Sequence, residues 1–130
     1  MKKLLPLLAM SIFLLTGCSA PFILMKSVPF TAENANVYEQ NFETGSKIYY
    51  AIVVPEKFRD DTLRVQVLKQ DDKVPFLGYS MERAETVVVD RSKNYYTDYF
   101  VINADGYYIM QVFYIGNTVS PIARYDFRVK

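Results

Sequence analysis

Cys18 carries the single thiol of this 130-residue chain and closes the run Leu15-Thr16-Gly17-Cys18. As a catalytic nucleophile it would need an activating base. The chain has no histidine, so the imidazole of serine and cysteine hydrolase triads is missing. Zinc sites built from histidine and cysteine are excluded with it. Carboxylates are the next candidates. Asp60-Asp61 and Asp71-Asp72 each lie beside an expected strand. Two sheet-end loops bearing such pairs could hold calcium through oxygen ligands. The plainer reading is two solvated turns, because Arg59 and Lys73 flank the pairs and oppose a cation. EF-hand spacing is absent. A glycosidase-like carboxylate pair lacks a cleft signature around it. No glycine-rich phosphate loop or dinucleotide fingerprint is present. The sequence therefore assigns no catalytic residue, no cofactor and no metal ligand.

The elements around Cys18 give its thiol a different task. Lys2 and Lys3 form a positive start, residues 4–15 are apolar apart from Pro6 and Ser11, and Thr16-Gly17 are small and turn-tolerant. This is the layout of an export signal, and the apolar run is too short for an ordinary transmembrane helix. A buried helix ending at a structural cysteine would not need the two lysines. Leu15-Thr16-Gly17-Cys18 resembles the lipobox of bacterial lipoproteins. The resemblance implies cleavage before Cys18, a lipid on its sulfur and acylation of the new amino terminus. One acyl chain holds a protein only reversibly, at about 0.8 kcal/mol per buried CH2, whereas several hold it stably. Ser19 follows, where aspartate would favour inner-membrane retention in the Gram-negative sorting pattern. The expected address is thus the outer membrane, on the periplasmic side rather than the cell surface. With its cysteine committed to the anchor, the exported domain has no disulfide.

Removing Lys2 and Lys3 takes the 15 basic residues to 13 against 14 acidic ones, a net of −1. Nucleic-acid binding needs a concentrated basic face, so it is not expected. The chain length suits one domain with a real core. We divide it into residues 1–17 (helical signal peptide), 18–44 (lipidated N-terminus and linker or early strand) and 45–130 (the folded domain). Within the second part, Phe22, Leu24 and Met25 are apolar where a tether is usually polar. They lie either at the bilayer interface or on the domain as a strand. The bracketing Pro21 and Pro29 weigh toward the interface or a partner. Residues 31–40 read as a loop, with Tyr38 and Phe42 as plugs at the core edge.

From Ile48 onward the pattern is β almost throughout. Residues 47–54 are apolar on both faces and stop at Pro55. Residues 62–69 alternate, with Leu63, Val65 and Val67 opposite Thr62, Arg64 and Gln66. A short edge strand is expected around Tyr79 and Met81, then a separate strand over 84–89. Strands over 95–102, 107–115 and 123–129 follow, with Asp105-Gly106 and Gly116-Asn117 as turns. About seven strands with such turn spacing imply an all-β antiparallel sandwich.

The closing segment, Gly106-Tyr107-Tyr108-Ile109-Met110-Gln111-Val112-Phe113 and then Ile122-Ala123-Arg124-Tyr125-Asp126-Phe127-Arg128-Val129, resembles the last hairpin of bacterial immunoglobulin-like domains. In that family Gly-x-Tyr opens the penultimate strand, which puts Tyr108 at the tyrosine position. Asp105 directly precedes Gly106, one position closer than the family's acidic residue. Eleven tyrosines and nine phenylalanines without tryptophan suit sheet and also contact surfaces. Tyr49-Tyr50, Tyr95-Tyr96 and Tyr107-Tyr108 are adjacent pairs whose members face opposite sides. The outward members either pair across strands or form an aromatic patch. Tyr49, Arg64, Gln66 and Tyr108 are the expected surface residues of a sheet-face contact. The expected function is a non-catalytic outer-membrane lipoprotein, an adaptor or accessory subunit of a cell-envelope protein assembly. It would be held by membrane lipid through Cys18, and would dock a protein by a sheet face or by strand addition. The alternative is a module that binds carbohydrate or peptidoglycan.

Overall fold

The computed structural model describes residues 20–71 and 78–130. The expected signal helix, Cys18 and Asp72 lie outside the described residues. Eight strands run in order: β1 (Phe22–Lys26), β2 (Asn41–Phe42), β3 (Lys47–Val53), β4 (Thr62–Gln70), β5 (Tyr79–Val88), β6 (Tyr95–Val101), β7 (Gly106–Tyr114) and β8 (Ala123–Val129). No helix occurs among the described residues.

The strands form a three-stranded sheet, β1-β3-β6, and a five-stranded sheet, β2-β8-β7-β4-β5. All pairings are antiparallel except the two-residue β2, which runs parallel to β8. The inner faces meet in one core that includes Ile48, Tyr50, Ile52, Leu63, Val65, Val67, Met110, Val112 and Phe127. The protein is an immunoglobulin-like β-sandwich.

Sequence alternation explains β4 directly, since Leu63, Val65 and Val67 are buried and Arg64 and Gln66 are half-exposed. Two expectations change. Phe22, Leu24 and Met25 belong to a true strand, with Phe22 opposite Val53 and Lys26 opposite Tyr49. Pro21 merely precedes the strand and Pro29 follows it, so neither removes a ladder donor within it. The edge strand around Tyr79 and the strand over 84–89 are one continuous ten-residue strand, β5. A register shift opposite Val67/Leu68 lets one extra residue bulge without breaking the ladder. Charged Arg83 and Glu85 on the inward side had masked the alternation.

The sandwich has no inter-sheet disulfide, and aromatic rings occupy its centre. Tyr50 and Phe100 stand 5.8 Å apart, Phe100 and Phe127 5.9 Å, and Tyr108 stacks on Phe127 at 5.6 Å. Phe42 meets Phe127 edge-on at 6.0 Å. The Phe100–Phe127 contact joins the two sheets, and such pairs add about 0.5–1.5 kcal/mol each beyond area burial.

Candidate interaction surfaces

The two outer faces of the sandwich differ in chemistry. On the three-stranded sheet, antiparallel register places Phe22, Val53 and Tyr95 in one row and Leu24, Ala51 and Thr97 in the next. Lys26, Tyr49 and Tyr99 form the third, and Lys47 pairs with Val101 beyond it. β3 contributes to both sides because its residues are apolar on both. The Tyr49 and Tyr99 rings lie 5.6 Å apart. Lys47 Nζ stands 4.8 Å from the Tyr99 ring centre, and Lys93 Nζ 5.7 Å from that of Tyr95. Tyr95 is 44% exposed and Tyr99 45%. No carboxylate occupies any of these register positions.

One end of this face is closed by the loop that follows β1. Lys26 is fully buried. Its ammonium donates to the Asn34 main-chain carbonyl and, at 3.1 Å, to the Asn34 side-chain oxygen. It also lies 4.2 Å from the Phe30 ring centre. Burial lowers the Lys26 pKa, and the charge of Glu39 opposes that shift. Glu39 itself accepts from the Ser27 hydroxyl at 2.9 Å, and its carbonyl accepts from the Tyr125 hydroxyl.

On the five-stranded sheet a polar band crosses the middle of the outer face, flanked by exposed Met81 and Val88 on β5 and Tyr107 on β7. Ala84, Gln66, Gln111 and Arg124 form one row across β5, β4, β7 and β8. Arg64 lies in the neighbouring row between Thr86 and Phe113. Phe113 is buried although it points outward. Arg124 pairs with Asp126 at 3.3 Å, and Arg128 donates to the Tyr107 hydroxyl at 3.0 Å while lying over its ring.

The four expected surface residues therefore do not share one surface. Arg64 and Gln66 are together on the polar face, and Tyr49 is on the opposite face. Tyr108 is not at a surface at all. It is 1% exposed, and its hydroxyl donates to the Ala104 carbonyl at 2.6 Å. The Gly-x-Tyr resemblance located it correctly, as a tyrosine corner. Gly106 makes the entry to β7, with φ of 154°, a value side-chain-bearing residues rarely adopt.

A polar cluster that sequence reasoning missed lies where the free edges of β5 and β6 face each other. Arg83 and Glu85 pair at 3.3 Å on the inward side of β5. Arg83 also lies over the Phe100 ring. From β6, the Tyr96 hydroxyl donates to Asp98 at 3.1 Å. Tyr50 is fully buried beneath, and its hydroxyl has no hydrogen-bond partner among the described residues. Burial raises the Tyr50 pKa, reinforced by Tyr96, Asp98 and Glu85 and opposed by Arg83. Burial and the Asp98 charge push Tyr96 up to about 12. Both phenols are donors at neutral pH, not bases. Inward-pointing charges on two edge strands are also a recognised guard against edge-to-edge aggregation. The sequence signal was the spacing Arg83-x-Glu85 within an otherwise alternating run.

Asp60-Asp61 and Asp71 stand at opposite ends of nine-residue β4, about 30 Å apart at strand rise. They cannot line one calcium site. Asp60 accepts from the Asp61 amide, and Asp61 from the Thr62 hydroxyl, which are turn contacts. No group of three metal-capable side chains occurs among the described residues. A shallow groove of about 220 Å³ opens beside Arg59, Asp60, Tyr114 and Asn117, and Arg59 lies over the Tyr114 ring there.

No family model matches the chain, and no curated sequence is significantly similar to it. Solved structures do resemble it. The soluble domain of PmoD from Methylocystis sp. ATCC 49242 superposes with a TM-score of 0.54 at 17% identity, covering 85% of this chain and 90% of that one. An immunoglobulin-like protein from Pseudomonas aeruginosa gives 0.53 at 13% identity, covering 88% and 100%. At such identities the likeness is one of fold.

Proposed function

We propose that this chain is a lipid-tethered, non-catalytic accessory domain of a cell-envelope protein assembly at the outer membrane, anchored through Cys18. The observation that carries the proposal is the unlike chemistry of the two outer faces. The apolar face includes Phe22, four residues after the proposed anchor. The opposite face presents Arg64, Gln66, Gln111 and Arg124 as a polar array. Guanidinium groups bind carboxylates through paired donors, and arginine is over-represented among residues that dominate protein interfaces. A protein partner with acidic side chains suits this array. The absence of histidine from the sequence and the protonated phenols of Tyr50 and Tyr96 favour binding over catalysis.

The test is photo-crosslinking of the full-length chain in native outer membranes, with the crosslinker at Gln66. We expect one identified envelope protein, lost in an R64E/R124E double variant and kept in Y49A. Crosslinks indifferent to R64E/R124E would overturn the polar face as the docking site. Saturable binding of the same protein to purified peptidoglycan would favour a glycan-binding module instead.

A further inference from the structure

We propose that the outer face of the three-stranded sheet is a membrane-docking surface, so that the sandwich lies with Phe22, Leu24, Tyr49, Tyr95, Tyr99 and Val101 against the interfacial zone of a lipid bilayer. The placement rests on the reading of Cys18 as a lipid anchor. The rest of the argument comes from the sheet itself.

Length decides how far the domain can swing. Only Ser19, Ala20 and Pro21 lie between Cys18 and Phe22, and the four chain steps from Cys18 to Phe22 reach at most about 14 Å when fully extended. The domain is larger than that, since β4 alone has nine residues and spans about 30 Å. The strand entered by this short leash is β1, and Phe22 lies in the same row as Val53 and Tyr95. Acyl chains attached at Cys18 would therefore enter the bilayer beside one corner of the apolar face. The polar face lies a full sheet-to-sheet spacing farther away, about 10 Å before side chains are added.

Composition then selects the contact. Aliphatic Leu24 and Val101 suit the acyl boundary. Tyrosine rings with one apolar end and one hydroxyl are the side chains enriched at membrane–water interfaces. Lys47 and Lys93 lie over Tyr99 and Tyr95, with flexible stems that can carry their charges to lipid phosphates. The register positions of this face hold no carboxylate to repel an anionic headgroup. A protein partner recognised by this face would need hydrogen-bond acceptors and donors that the face offers only through a few phenols, Thr97 and the ammonium groups of Lys47 and Lys93.

The chain has no tryptophan, so one introduced indole reports one position. The full-length chain is reconstituted in vesicles of phosphatidylethanolamine and phosphatidylglycerol with brominated acyl chains. Two variants are compared, Y99W on the apolar face and Y107W on the far sheet, where Tyr107 is 54% exposed. Interfacial burial of about 5–10 Å on one side only predicts quenching of Y99W at least about threefold greater than that of Y107W. Adding V101E should bring the ratio toward one while the protein still sediments with the vesicles. Equal quenching of Y99W and Y107W would overturn the proposal, and so would greater quenching of Y107W. Palmitate incorporation into the wild-type chain and its loss in C18A read the anchor separately. Absence of lipid on the wild-type chain would overturn the anchor reading, while the quenching ratio still reports which face meets the membrane.

Discussion

The Tyr108 hydroxyl donates to the Ala104 carbonyl at 2.6 Å, tying the entry of β7 to the turn that precedes it. The ring stacks on Phe127, so one side chain fixes both the turn and the packing of β8. Y108F keeps the ring and removes the bond, leaving a carbonyl short of its donor. The expected loss is about 1–1.5 kcal/mol in urea unfolding. Y107F, on the exposed neighbour, should stay within about 0.5 kcal/mol of wild type. Equal effects would show that the hydroxyl bond contributes nothing specific.

Tyr50 has the opposite problem. Its hydroxyl is buried without a partner among the described residues, and its ring is held by Tyr96 and Phe100 at 6.3 and 5.8 Å. Removing an orphaned polar atom relieves a desolvation penalty of about 1–3 kcal/mol while the ring contacts persist. Y50F should therefore raise the unfolding midpoint or leave it unchanged. A clear loss of stability would mean that the hydroxyl has a bound partner in solution.

Phe127 connects three aromatic neighbours across the two sheets. F127A should cost about 3–5 kcal/mol, the range for deleting a buried phenylalanine. F127L keeps most of the volume and should lose roughly 1–2 kcal/mol. Calorimetric melting of the two variants separates ring packing from simple cavity formation. F127L melting at the wild-type temperature would deny a special role to the aromatic row.

Strands with one wet face were legible in the sequence, because the alternation of Leu63, Val65 and Val67 against Arg64 and Gln66 has a single solution. The Gly106-Tyr107-Tyr108 opening of β7 was legible too. Partnership was not legible. Whether Tyr49 joins Tyr99 or Tyr107 depends on which strands are neighbours, and alternation is silent on strand order. β1 was ambiguous because the four apolar residues 22–25 satisfy a bilayer and a sheet equally. Arg83 and Glu85 disguised β5, since charges facing inward at an edge break the simple rule that polar residues point out. The apolar outer face was hidden by β3, whose residues are hydrophobic on both sides, and that pattern is normally read as burial on both.

Alkaline stability follows from four phenols. Burial is the leading cause that raises the pKa of Tyr50, Tyr96, Tyr108 and Tyr125, with Tyr96 and Tyr125 pushed up to about 12 from 10.0. A raised phenol pKa means that the unfolded chain releases its proton first. The stability tied to these protons is complete below pH 10 and is lost as pH rises from 10 toward 12. Lys26 acts in the other direction. Its pKa is lowered from 10.5 by burial, so the unfolded chain holds that proton longer and rising pH relieves the burden as it approaches 10.5. The urea midpoint should thus be flat or slightly rising up to about pH 10 and then fall steeply. Y96F and Y125F together should shallow the fall above pH 10, because two late-titrating protons are gone. Phenolate absorbance at 295 nm should rise in step with loss of the folded circular-dichroism signal for the remaining buried tyrosines. A midpoint that continues to climb beyond pH 11 would show that these phenols ionise without opening the core.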